Sequence, residues 1–174
     1  RDKLGPLLWQ FAPTKKFEEA DFGKFLELLP ASFDGRPLRH VVEVRHDSFR
    51  VPSFIALLRQ FRLPVVFAEH ATYPAIADLT GDFVYARLQK GQEKLKAGYP
   101  PKALDEWAAR AKLWASGDAP DDLPYVETAK AKAKDKAKKN PRDVFMFFIH
   151  EAKVRAPAAA MALIERVGRP GKTG

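Results

Sequence analysis

The amino-acid sequence predicts an α/β protein built on a parallel sheet, and three observations carry that expectation. Five short runs are almost continuously apolar and rich in β-branched or aromatic residues, as strands covered on both faces are. Helical patterns, with apolar residues three and four apart, fall between the runs. Polar and charged side chains gather at the carboxyl ends of the runs, where parallel sheets hold their ligands.

The first strand is expected at Pro6–Phe11 (PLLWQF). A helix follows over Phe22–Leu29, with Asp21 as its cap, Phe22, Phe25, Leu26 and Leu29 on one stripe, and Pro30 as its stop. Val41–His46 (VVEVRH) is the second strand. Ser53 is placed to cap the next helix, which turns Phe54, Leu57, Leu58 and Phe61 inward. Val65–His70 is the third strand, followed by a short helical turn around Tyr73–Asp78 and by the fourth strand, Asp82–Leu88. Lys102–Ala115 sets Leu104, Trp107, Ala108, Ala111 and Trp114 on one helical face, so its tryptophans read as core. Val144–His150 is the fifth strand. The last helix has Pro157 in its first turn, Met161, Ile164 and Val167 at core spacing, and Gly168 as a C-cap.

Two architectures fit five such units: an open parallel sheet of five strands, or part of a (β/α)8 barrel. A full barrel takes roughly 250 residues, and the chain has 174. With 46% apolar residues the chain has material for a core, which excludes disorder throughout. The absence of cysteine excludes disulfides, thiolate metal sites and thiol nucleophiles. No apolar stretch has membrane-spanning length, and Arg1–Trp9 does not read as a signal peptide. Those two features set the expectation of a cytoplasmic protein, one domain over residues 1–174.

The net charge of +8 first suggests a nucleic-acid partner, but its distribution argues otherwise. Residues 117–140 break the strand–helix rhythm. Within the run 130–139, Lys130, Lys132, Lys134, Lys136, Lys138 and Lys139 face only Asp135, a net +5. The run lacks interleaved aromatics and reads as an exposed, solvated insertion, with electrostatic nucleic-acid contact as the alternative. The tail from Arg169 reads as a solvated end.

The strand ends carry the candidate chemistry: Gln10 on the first, Glu43, Arg45 and His46 on the second, Glu69 and His70 on the third, Tyr85, Arg87 and Gln89 on the fourth, and His150 and Glu151 on the fifth. Alternation puts Glu43 with Arg45, and Tyr85 with Arg87, on shared faces. One reading is structural, with Glu43 neutralising Arg45 or Arg87 inside the sheet. The other is a site. Arg45 and Arg87, joined by Gln10 and Tyr85 and with Lys90 or Lys153 nearby, would bind a phosphate or carboxylate. Glu43, His46 and Glu69 would be the acid–base candidates. A divalent metal on Glu43, His46, Glu69, His70 and His150 is weaker, because no local ligand signature supports it. No cofactor is indicated.

LGPLLWQF at Leu4–Phe11, EVRHDSF at Glu43–Phe49, DFVYARL at Asp82–Leu88 and AKVRAPAAAMALIERV near the end resemble the YecE-like family, domain of unknown function seventy-two. The resemblance covers nearly the whole chain outside the lysine run. It implies a TIM-barrel fold, of which this chain would supply the fourth to eighth strand–helix units. The amino-terminal units would then be missing from it, and its first and last strands would be open edges. The family's Glu-x-Arg-His pattern falls on Glu43, Arg45 and His46, and its Tyr-x-Arg-Leu pattern on Tyr85, Arg87 and Leu88. Gln89-Lys90 stand where family members often have His-Gly. Ile149-His150-Glu151 stand where an Asn-rich strand end is usual. The functional expectation is an enzyme-like barrel that binds a small anion at its strand ends. A metal-dependent hydrolase or nuclease and a non-enzymatic basic binding module are the alternatives.

Overall fold

A computed structural model of the chain describes residues 3–127, 140–149 and 153–168. Its elements are β1 (Leu7–Gln10), α1 (Glu19–Glu27), β2 (Ser32–Phe33), β3 (Arg36–Pro37), β4 (His40–Glu43), α2 (Pro52–Gln60), β5 (Val66–Glu69), β6 (Phe83–Leu88), α3 (Pro101–Ala115), β7 (Asp143–Phe148) and α4 (Ala156–Val167). Single 3-10 turns at Asp47–Phe49 and Lys153–Arg155 precede α2 and α4.

The fold is α/β with parallel sheets. β1 pairs with β4, and β6 pairs with both β5 and β7, every pair parallel. A parallel bridge between Val42 and Val65, with the Val42 amide donating to Pro64 O at 3.1 Å, joins the two sets. The five parallel strands therefore lie side by side in chain order. They do not close into a barrel among the described residues.

The two faces of this sheet are covered differently. On one, Val42 and Val44 meet Phe22 and Leu26 of α1 and Phe54, Ile55 and Leu58 of α2. Further along the same face, Phe67, Val84, Ala86 and Leu88 meet Leu104, Trp107 and Trp114 of α3 and Ala159 and Leu163 of α4. At about 1.5–3 kcal/mol for each large apolar side chain fully buried, this helix-covered face supplies most of the drive to fold. The other face carries Val41, Val66, Phe83 and Tyr85 against Leu8 and Phe145, with no helical residue among them.

That face is concave. Arg39, at the start of β4, reaches Asp143 of β7 at 2.8 Å and lies over the rings of Phe83 and Phe145. Three strand spacings separate β4 from β7, roughly 14 Å in a flat sheet. Curling the sheet brings the two strands within reach of one ion pair.

Several local expectations give way to tertiary context. Asp21 pairs with Lys15 instead of capping, and α1 begins at Glu19. Ser53 lies inside α2, where Pro52 takes the first turn and Val51 the N-cap position without a side-chain cap. The turn expected at Tyr73–Asp78 is not helical. Its backbone is tied to another segment, with Ala77 N donating to Pro124 O, and the Val126 and Glu127 amides donating to the buried Asp78 carboxylate. In α4 the buried residues are Ala159 and Leu163, while Met161 is 63% and Ile164 51% exposed. The β2–β3 hairpin went unanticipated, although Asp34-Gly35 marks it: both residues have positive φ, as a two-residue hairpin turn requires.

Of the 117–140 segment, residues 117–127 dock on the body through Arg110–Asp122 and Arg59–Glu127. The lysine run and the Arg169–Gly174 tail lie outside the described residues. Gly117 makes the turn into the docked stretch with φ +87, and a Cβ there would sit 2.5 Å from Asn140 O. Gly117→Ala is expected to lower stability by about 2 kcal/mol or more, read as a fall in the urea midpoint. An unchanged midpoint would show that this close approach does not form.

Candidate functional site

The strand ends converge on one carboxylate. Glu43 ends β4 on the concave face and is fully buried, at 0% exposure. Arg45, two residues on and therefore on the same face, donates from Nε to Oε1 at 2.8 Å. Arg87, near the end of β6, donates from Nη1 to Oε2. Gln10 pairs in register with Glu43, and its Oε1 accepts from Arg45 Nη2 at 2.6 Å and from Arg87 Nη1 at 2.9 Å. Like the Arg39–Asp143 pair, Gln10 and Arg87 meet across three strand spacings.

Charge and donors are left over at this point. Two guanidiniums face one carboxylate, so the cluster carries a net positive charge. Arg87 Nε and Gln89 Nε2 are buried with no hydrogen-bond partner among the described residues. Alternation sends both side chains to the same side of the chain. Buried donors of this kind are rare in folded proteins and costly when left unmet.

Aromatic rings flank the guanidiniums. Arg45 lies over the Tyr73 ring at 4.6 Å, and Tyr73 stacks on His70 with centroids 3.9 Å apart and planes at 10°. His70 Nδ1 accepts from the amides of Thr72 at 3.1 Å and Tyr73 at 3.2 Å. Burial, and then the charge of Arg45, hold His70 below the usual histidine value of 6.5, although Glu43 pulls the other way. On the β6–β7 side, Tyr85 stacks on Phe147 at 4.8 Å. Burial pushes the Tyr85 phenol up, so it stays protonated.

Glu69 belongs to a neighbouring cluster. Its Oε2 accepts from Tyr99 Oη at 2.7 Å and from the Lys90 amide at 3.3 Å. Burial and the adjacent Glu69 charge push the Tyr99 phenol well up, which keeps it a donor. His46 acts as the cap of the Asp47–Phe49 turn, its Nδ1 accepting from the Ser48 amide at 3.1 Å. His40 accepts from Trp9 Nε1 at 3.0 Å at the other end of β4.

Of the residues the sequence singled out, Gln10, Glu43, Arg45 and Arg87 form one hydrogen-bonded unit, with Tyr85 on the same face. Glu69 and His46 are held by other partners. Gln89, which the sequence placed at the end of the fourth strand, joins that face, whereas Tyr73, Tyr99 and Phe147 were not among the site candidates. Only Tyr73 carried a signal, three residues after a strand-end histidine. His150 and Glu151 lie outside the described residues. Among the described residues, no three His, Asp or Glu side chains converge as metal ligands, and no helix is long and apolar enough to cross a membrane.

The family profile described as "Protein of unknown function DUF72" matches residues 1–173. The chain belongs to the DUF72 family. Solved DUF72 structures share its fold. A protein of Enterococcus faecalis V583, in two crystal structures, aligns with TM-scores of 0.60 and 0.57 at 14% identity. These alignments cover 94% and 95% of this chain and 61% and 59% of that one. A protein of Thermotoga maritima MSB8 aligns with a TM-score of 0.51 at 17% identity, over 95% of this chain and 57% of its own. This DUF72 chain therefore spans about three-fifths of those structures. No curated protein matches it.

Two outcomes test the electrostatics of this DUF72 site. Glu43→Ala strands two guanidiniums around an empty place and is expected to cost about 3–5 kcal/mol in denaturant unfolding; a loss under about 1 kcal/mol would mean the cluster is well hydrated. His70 should titrate below 6.5 when followed by NMR. Since the unfolded chain takes up that proton at a higher pH than the folded one, acid favours unfolding. The contribution of His70 is therefore intact above pH 6.5 and lost as pH falls towards the folded value. His70→Gln should flatten that part of the stability–pH profile, and an unchanged slope would show that His70 is not the group concerned.

Proposed function

We propose that this chain forms the carboxyl-terminal five units of a (β/α)8 barrel and binds a small anion, a carboxylate or a phosphate, at its strand ends. Three features support the barrel: parallel strands in chain order, helices on one face only, and side chains that meet across the concave face. A doubly wound sheet would reverse its strand order and carry helices on both faces. The span of about three-fifths of the solved DUF72 structures fits five units of eight.

The observation that carries the anion reading is Arg87 Nε, a cationic donor buried without a partner among the described residues, in a cluster whose described side chains carry surplus positive charge. Gln89 Nε2 is a second donor of the same kind. In this reading Glu43 and Gln10 hold the two guanidiniums in place. Arg45, Arg87 and Gln89 grip the ligand, and Tyr85 lines its approach. Glu69, kept on Tyr99 at the rim, is the carboxylate left for proton transfer. His46 keeps the turn after β4 in shape.

The test is thermal unfolding at constant ionic strength, with phosphate or acetate replacing chloride. A ligand at ten times its dissociation constant stabilises by about 1.4 kcal/mol, a rise of roughly 3–6 °C for a chain of this size. Arg87→Lys keeps a cation for Glu43 but loses Nε, and Arg45→Ala removes the second guanidinium. Both are expected to abolish most of that rise. Equal shifts in all three proteins would mean that the anions act on the whole surface, and no shift in any would refute the site.

A further inference from the structure

We infer that the turn after β5 is a cover on the Arg45 guanidinium that acid releases through His70; its effect on ligand binding rests on the anion reading above. The turn hangs on one nitrogen. His70 Nδ1 accepts from the Thr72 amide at 3.1 Å, the Tyr73 amide at 3.2 Å and the Thr72 hydroxyl at 3.2 Å. Residues 71–76 make no other hydrogen bond among the described residues. Ala71 and Thr72 are exposed, whereas Pro74 and Ile76 are buried, so movement is confined to this single turn.

Both amides can only donate, so they fix the neutral ring with its proton on Nε2. A second proton must go to Nδ1, where it sets N–H against N–H. The Thr72 hydroxyl can rotate to accept it, but the two amides cannot. The doubly protonated ring therefore drops the turn. With the turn goes the Tyr73 ring, which stacks on His70 at 3.9 Å and has the Arg45 guanidinium 4.6 Å from its centroid. Burial and then Arg45 resist that proton; Glu43 favours it, and Lys90 at the end of β6 resists it. Release therefore comes below the ordinary histidine range. Arg45 keeps its bonds to Glu43 and Gln10 when the turn leaves, because neither runs through Tyr73. Its uncovered face and the new charge on His70 then both favour an anion. By linkage, a bound anion favours the proton on His70 to the same degree.

The experiment follows the Arg45 guanidinium of the full chain by NMR, where the Tyr73 ring current marks a closed turn, and titrates each protein with sulfate. Sulfate keeps its charge over the range in which histidine titrates. In the unaltered protein the ring-current shift should vanish as His70 takes up its proton, and sulfate should bind about fivefold more tightly. His70→Asn keeps a side-chain acceptor for the turn amides but cannot titrate. It should stay closed throughout, with the sulfate affinity of the unaltered protein at neutral pH. His70→Ala removes the acceptor. It should be open already at neutral pH and bind sulfate about two- to threefold more tightly than the unaltered protein there. An Arg45 shift that persists through the His70 titration, or in His70→Ala, overturns the cover. Tighter binding in acid with no gain in His70→Ala assigns the effect to the His70 charge alone and overturns it too. Failure of all three proteins to bind sulfate refutes the anion site instead, and the Arg45 shift still decides whether the turn opens.

Discussion

The Glu43 carboxylate has no route to water, and that constraint orders everything at the strand ends. A buried carboxylate without partners would cost several kcal/mol or give up its charge. Here both oxygens are taken, Oε1 by Arg45 and Oε2 by Arg87. The guanidiniums in turn need acceptors, and Gln10 Oε1 serves both. One buried charge thus ties β1, β4 and β6 together at their carboxyl ends. Side-chain direction follows from strand alternation, and reach follows from the curl of the sheet. Neither would suffice alone, since a flat sheet would hold Gln10 and Arg87 too far apart for a direct bond.

The curl has its own cause in how the apolar residues are shared between the faces. Every described helix of the chain packs on the same side of the sheet, through Phe22, Phe54, Trp107 and Leu163 among others. The opposite side has no helix to meet, so its apolar residues bury themselves against one another. Val41, Val66, Phe83 and Tyr85 manage this because the sheet bends towards them. The Arg39–Asp143 pair fixes the bend at the end where the strands begin, and the Glu43 cluster fixes it where they finish. The proposed barrel is the natural continuation of a sheet bent in this way.

The strands were legible because each is an apolar run with β-forming residues, a signal that depends on few distant contacts. The long helix at Pro101–Ala115 was legible for a similar reason, its stripe of Leu104, Trp107, Ala111 and Trp114 being unambiguous. Caps and short turns were less so. Ser53 and Asp21 have the chemistry of a cap, but Pro52 and Lys15 decided otherwise through geometry and charge. The last helix misled because Met161, Ile164 and Val167 look like a core stripe, whereas small Ala159 lets α4 approach α3 closely on another side. Within the site, Glu43, Arg45, Arg87 and Gln10 could be named from alternation at strand ends. Tyr99 could not, for its bond to Glu69 spans thirty residues, β6 and the loops on either side of it, and the path of those loops follows from no pattern.

A buried ion cluster is weak grounds for thinking a fold needs it. Well-packed apolar side chains of similar volume often serve stability as well or better, because desolvation offsets much of the Coulomb attraction. The rest of the concave face takes that simpler route with Val41, Val66 and Phe83. At the strand ends the chain instead uses two guanidiniums where one would neutralise Glu43, and Arg87 Nε and Gln89 Nε2 find no partner among the described residues. A buried donor left without a partner costs about 1–3 kcal/mol. An acceptor that entered would relieve that cost only when bound, and so would bind more tightly because of it. A single guanidinium would neutralise Glu43, so the second one and the unpartnered donors are the ground on which the anion site is proposed.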